Sequence, residues 1–244
     1  MEVHHHPKLP HGEKKKIKEY LLEFLMIFLA VTMGFIAENI REHISDNSKE
    51  SEYIEGMIKN LGVDTARIKE AIKQVSTQNN GLYRLTRVSK DKLSQIPVQD
   101  SLYRFTADYL FYANNFRNDD ITLTQLRNSG GYRLIRNNSV LDSIAEYESR
   151  IKDLDDEFSD LFASLVKARE RADQIFDLTN SHNFMQHPTS TPILITLDKE
   201  KISNYYNGCW EVLVGLNGYD HMLEDHLKYS IRLIAYLKKE YDVE

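Results

Sequence analysis

One cysteine, five prolines and ten glycines are spread over 244 residues. The lone Cys209 closes no internal disulfide and excludes a cysteine-based metal cluster, so packing must hold the chain together. Scarce proline and glycine beside 28% charged residues suit a helical protein rather than a disordered or β-rich one. Excess basic charge is missing as well. With 31 Lys and Arg against 37 Asp and Glu, the net charge is −6, which disfavours nucleic acid as a partner. Reaction signatures are also lacking. The chain has no Gly-x-Ser-x-Gly, no His-Glu-x-x-His, no phosphate loop and no dinucleotide fingerprint. Beyond the N-terminal tail it has no Glu-x-x-His of the kind that helical-bundle metal centres use. No catalytic residue, metal ligand or cofactor is assigned, and an enzyme is not expected.

What stands out is a single long apolar run, Leu21 to Ile40, with no charge between Glu23 and Glu38. As a helix it spans roughly 30 Å, the thickness of a bilayer's hydrocarbon core. Its eleven Leu, Ile, Val and Phe residues favour insertion by roughly 3 to 7 kcal/mol. Glu23 and Glu38 fall near the interfaces, where the mid-bilayer penalty does not apply. A buried helix of a soluble protein is the competing reading, because the uncharged part is short. A cleaved signal peptide fits poorly, since Phe35-Ile36-Ala37 is not a small-residue cleavage site. The run reads as an uncleaved signal anchor.

Lys8, Lys14, Lys15, Lys16 and Lys18 precede the run, whereas Arg41 and Lys49 follow it among five acidic residues. This bias puts the N-terminus in the cytoplasm and the C-terminal domain outside. In a Gram-negative cell that means an inner-membrane anchor and a periplasmic domain. The expected organisation is a His/Lys-rich cytoplasmic tail over 1–19, a transmembrane anchor over 20–40 and a periplasmic helical bundle over 41–244. Ala30, Gly34 and Ala37 have the small-residue spacing that lets two spans approach closely. Glu23 reads as a snorkelling interfacial residue, with an ion or proton role as the alternative. His4, His5, His6 and His11 lie in a polar tail, where any metal binding is weak and adventitious.

Beyond the anchor the pattern is helical. Ile54, Leu61, Ile68, Val75 and Leu82 recur every seventh residue, and Ile58 and Ile72 extend the stripe. Thr65, Asn79 and Thr86 break the second set of positions, so an intrachain core stripe fits better than a strict coiled coil. Ile40 and Ile44 leave room for one nearly continuous helix from the membrane onward. Asp100 is expected to cap an aromatic-rich helix over 101–112, with Tyr103, Phe105, Tyr109, Phe111, Tyr112 and Phe116 mainly in the core. Thr122 or Thr124 is expected to cap a short helix ending at Asn128, followed by a turn at Ser129-Gly130-Gly131. A long helix then runs from about Ser139 to Leu178, capped by Asn137, Asn138 or Ser139, with a stripe through Leu141, Ile144, Tyr147, Ile151, Leu154, Phe158, Leu161, Leu165, Ala172 and Ile175. Ser181 to Thr196 interrupts the pattern. Asp198 caps a last helix to about Tyr241, with Gly215 and Gly218 as candidate kinks. Its apolar positions include Ile202, Tyr205, Cys209, Leu216, Tyr219, Leu223, Tyr229, Ile234 and Leu237.

Two polar clusters are candidates for binding. Arg127, Arg133 and Arg136 gather in sequence around the Gly130-Gly131 turn, and backbone amides with arginines can hold an anion or carboxylate. Helix capping and pairing with bundle carboxylates is the plainer reading. His221 and Asp225 are one helical turn apart and could share a proton or metal, but a solvated helix face explains them more simply.

The opening MEVHHHP, the span EFLMIFLAVTMGFIAENIREH, and the segments TLTQLRNSGGYRLIRN and LKKEYDVE resemble an uncharacterised group of single-pass membrane proteins of Bacteroidota. The resemblance implies a membrane-anchored helical protein and supplies no reaction, cofactor or partner. The expected fold is all-α: one N-terminal transmembrane helix followed by an elongated antiparallel helical bundle. The expected role is a membrane-anchored periplasmic interaction or structural module, accessory to an envelope complex, with the lipid bilayer and a protein partner or a second copy as its contacts. A small-ligand or anion-binding sensor domain is the alternative.

Overall fold

The heptad line of Ile54, Leu61, Ile68, Val75 and Leu82 lies on one face of a helix, and all five side chains are buried. They belong to α1, Ile17–Thr86, in a computed structural model that describes residues 17–177 and 194–243. The described residues form an all-α protein without named strands; an isolated antiparallel bridge joins Phe176 and Leu194. After α1 come α2 (Ile96–Tyr109), α3 (Ile121–Asn128), α4 (Asn138–Asp173) and α5 (Lys199–Tyr241), with short 3-10 turns at Lys90–Lys92 and Gly131–Arg133. The expected tail and its histidines, and most of the break between α4 and α5, lie outside the described residues.

The chain divides into two compact units, Met1–Glu50 and Ser51–Glu244. In the first, the described residues are helical throughout. Their apolar side chains are exposed: Leu21, Phe24, Ile27, Met33 and Phe35 are each more than half accessible. Phe24 and Phe28 stack along one side of the helix with ring centres 6.2 Å apart.

The second unit is a helical bundle. The C-terminal part of α4 meets the N-terminal part of α5, as Arg171 and Glu211 pair at 3.2 Å, while Asn137 bonds Glu240 at the other end. These two helices are therefore antiparallel. Tyr206 near the start of α5 reaches the Val88 carbonyl just past α1, so α5 also runs antiparallel to α1. The connection from α1 to α4 must carry the chain back along the bundle. It does so with α2, an irregular stretch over 110–120, and α3.

Capping follows the sequence in two places and departs from it in two. Asn137 accepts from the Ser139 N–H at 3.0 Å and Asp198 from the Lys201 N–H at 2.9 Å, starting α4 and α5 as expected. Asp100, in contrast, lies inside α2, which begins at Ile96 with Pro97 in its first turn. Proline there loses no helical hydrogen bond and has its φ already set, so Pro97 opens the helix that it was expected to precede. At α3 the cap position is Asp120, upstream of both threonines, and Thr124 donates its hydroxyl to Asp120 Oδ2 at 3.2 Å. α4 stops at Asp173, five residues short of the expected end. Gly215 faces α4 closely: a Cβ on it would stand 3.2 Å from Leu161 Cδ1. It allows close contact between the two helices.

The core has two apolar clusters. The larger joins Ile68 to Leu85 of α1, α2, Leu154 to Phe176 and Ile202 to Leu223. The smaller joins Ile54, Met57 and Leu61 with Leu123, Leu126, Ile135, Val140, Ile144, Leu233 and Leu237. Tyr103 and Phe116 enter the core, but Phe111 and Tyr112 are exposed, against the expectation for that aromatic run.

Candidate functional site

Residues 21 to 36 present a continuous exposed apolar surface in the first unit. Their apolar atoms are bare, and no stretch of it is buried. Exposing this many large side chains to water costs about 25 cal/mol per Å2, so the helix suits hydrocarbon. Gly34 has open space where a Cβ would stand. Ala30 and Ala37 are exposed beside it.

The Gly130-Gly131 turn is built for packing. Gly130 takes φ of +68°, the left-handed region that glycine enters without a Cβ clash. Gly131 is buried, and a Cβ on it would come within 2.9 Å of the Tyr53 ring and 3.0 Å of Leu126. The Tyr53 hydroxyl shares a 2.8 Å hydrogen bond with Ser129, tying the turn to α1. The three arginines around the turn have separate surroundings. Arg127 lies 3.4 Å from Glu148 and also reaches the Leu123 carbonyl. Arg133 folds its guanidinium over Gly130. Arg136 is exposed. Glu148 also accepts from the Tyr132 hydroxyl at 2.9 Å, and burial with this carboxylate pushes the Tyr132 pKa up. Arg127 and Glu148 line an open groove of about 540 Å3 with Asp120, Ser149, Lys152 and Asp155.

Asp225 pairs with Lys228 at 3.0 Å on an exposed face, and this contact holds its carboxyl below the usual range. His221 is exposed beside it. Among the described residues no three His, Cys, Asp or Glu side chains gather in an arrangement able to hold a metal. Cys209 is buried, and burial pushes its thiol up to about 12.

Sequence reasoning passed over a polar layer inside the bundle. The buried Tyr147 donates a hydrogen bond from its hydroxyl to Asp64, which also accepts from the Asp119 N–H at 2.7 Å. His226 stacks on Tyr147 with ring centres 5.0 Å apart and also lies against Phe116. Next along α5, Ser230 is fully buried and donates to the His226 carbonyl. Burial raises the Asp64 pKa despite the two hydrogen bonds. Burial, with help from Arg150, lowers His226 to about 4, so its imidazole is neutral near pH 7. Tyr219 binds the return stretch from α5: it accepts from the Phe116 N–H at 3.0 Å and donates to Asn115 at 3.1 Å.

On α1, Asn60, Asp64 and Gln78 satisfy the backbone of that return stretch. Asn60 accepts from the Thr122 N–H, and Gln78 donates to the Tyr109 and Tyr112 carbonyls at 2.8 and 2.9 Å. Irregular backbone against a helix needs such partners, because each unpaired buried amide costs about 1 to 3 kcal/mol. The legible signal was their spacing: Asn60 and Asp64 are four residues apart, flanking the apolar stripe.

Comparison with protein-family models, curated proteins and solved structures gives no match.

Proposed function

We propose that this chain is a single-pass membrane protein whose helical bundle works as a tethered interaction or structural module in a cell envelope, without a reaction of its own. The observation that carries the reading is the bare apolar surface of α1 between Leu21 and Ile36, which a bilayer would cover. The Lys/Arg bias around that segment supports a cytoplasmic N-terminus and a periplasmic bundle. Exposed apolar side chains on the bundle, among them Trp210 and Val214 on α5, supply surface for a partner.

The test is crosslinking of the full-length protein in native membranes, with mass spectrometry of what it captures. A reproducible envelope partner supports the module. Recovery of the protein alone, as a monomer, would remove it. The alternative is a small-ligand sensor. It is favoured by the groove beside Arg127, whose mixture of acidic and basic side chains suits a zwitterion or small anion.

A further inference from the structure

Arg169 on α4 is half-buried, and its Nε donates to the Leu110 carbonyl at 2.9 Å, where α2 ends. The guanidinium carbon stands 5.8 Å from the Phe111 ring centre and 6.0 Å from that of Phe162. Both rings are exposed, at 39% and 43%, and Val166 one turn from Phe162 is 37% exposed. The bond to Leu110 occupies one of five N–H donors. Among the described residues no carboxylate pairs with this cation, whereas Arg127, Arg150 and Arg171 each have one. Its terminal nitrogens are not among the buried polar atoms that lack a partner, so they reach solvent. Burial lowers the Arg169 pKa with no acidic neighbour to oppose it.

We infer that Arg169, Phe111, Phe162 and Val166 form a docking surface for an acidic side chain flanked by apolar residues on a protein partner. This deepens the interaction-module reading and rests on it. A guanidinium already fixed by a carbonyl and two rings has lost its rotamer freedom before binding. Its free edge is a fork that matches a carboxylate in a bidentate pair. The flanking rings exclude water and strengthen that pair, and their exposed faces gain by being covered. A bare anion would satisfy the cation alone. An apolar ligand would cover the rings and leave the charge unpaired. A carboxylate with apolar neighbours meets both demands.

The experiment uses full-length protein with 15N-labelled arginine in neutral phosphatidylcholine nanodiscs. The probe is the peptide acetyl-Ala-Leu-Glu-Leu-Ala-amide, and the readout is the Arg169 Nε–Hε resonance, assigned by its loss in Arg169→Lys. The expected result is a saturable shift, with about tenfold weaker binding when the peptide's Glu is replaced by Gln. Val166→Glu keeps an exposed position exposed and places a competing carboxylate one turn from Arg169. It should weaken the peptide about tenfold while the rest of the spectrum is retained. Equal binding of the Gln peptide, indifference to Val166→Glu, or a shift produced only by phosphatidylglycerol vesicles would overturn the docking surface. Crosslinking then separates the two readings. A partner captured equally by wild type and Val166→Glu leaves the module standing and removes this surface. Absence of any partner removes the module, and this surface with it.

Discussion

Tyr147 on α4 donates a hydrogen bond from its hydroxyl to Asp64 on α1 in the bundle interior, and the carboxylate's other oxygen accepts one from the Asp119 N–H. One buried acid thus joins two long helices and the stretch that connects them. Removing the phenol oxygen should leave a buried carboxylate short of a donor. Tyr147→Phe is expected to destabilise the protein by about 1 to 3 kcal/mol, read from the urea midpoint of full-length protein in detergent. A change below about 0.5 kcal/mol would mean that water reaches Asp64 and replaces the phenol.

The raised pKa of Asp64 fixes the sign of its pH effect. The folded protein holds this proton to higher pH than the unfolded chain, so stability from this group falls as pH rises above the ordinary value of 3.8. Asp64→Asn should remove that fall. Unfolding midpoints of the two proteins should diverge as pH rises above 3.8; parallel curves throughout would show that Asp64 titrates alike in both states.

His226 acts in the opposite sense. Its folded value of about 4 lies below the usual 6.5, so the unfolded chain binds a proton first as pH falls. Stability from His226 is complete above pH 6.5 and is lost on acidification toward pH 4, by up to roughly 3 kcal/mol. His226→Phe should flatten this part of the stability curve. Retention of the full slope in the variant would assign the acid sensitivity to other groups.

Gly131 leaves no room for a side chain. Gly131→Ala should cost about 1 to 3 kcal/mol through overpacking against Tyr53 and Leu126. Pairing it with Tyr53→Leu should recover part of the loss. An additive double variant, measured by thermal unfolding, would show that the two positions do not press on each other.

Membrane insertion should survive Glu23→Leu, since an interfacial acid is not needed for the span. A reporter active only in the cytoplasm, fused after Glu244, should stay silent. An active reporter would reverse the proposed topology, and loss of the variant from carbonate-washed membranes would overturn the interfacial assignment of Glu23.

The helices were readable because their apolar periods are long and regular. Ile54, Leu61, Ile68, Val75 and Leu82 on α1 and Ile144, Tyr147, Leu154, Leu161 and Leu165 on α4 are buried, while Ile58, Ile72, Leu141, Ile151 and Phe158 stand half-buried at the edges of the two stripes. On α5 the reading drifted after Leu223. The buried line continues through His226, Ser230, Leu233 and Leu237, whereas the apolar residues Tyr229 and Ile234 stand partly outside it. Two polar residues in core positions hid the line from a search for apolar ones. Phe111 was misplaced for a related reason. Aromatic density predicts burial only where a second element covers the ring, and Phe111 follows the end of α2. The Gly-Gly turn was foreseen as a turn, and Gly130 takes the positive φ expected there. Its contact with Tyr53 was not, because nothing local links residues 78 apart in the chain.

Heptad stripes tolerate sliding. Displacing α4 along α1 by seven residues would set Val140 or Leu154 opposite Asp64 and still bury apolar side chains on both helices. Such a slip would leave the carboxylate without its phenol and place it against hydrocarbon. The layer of Asp64, Tyr147 and His226 therefore acts as a register mark. Apolar surface supplies most of the attraction between these helices, and the polar layer selects one alignment from several that the apolar surface alone would accept.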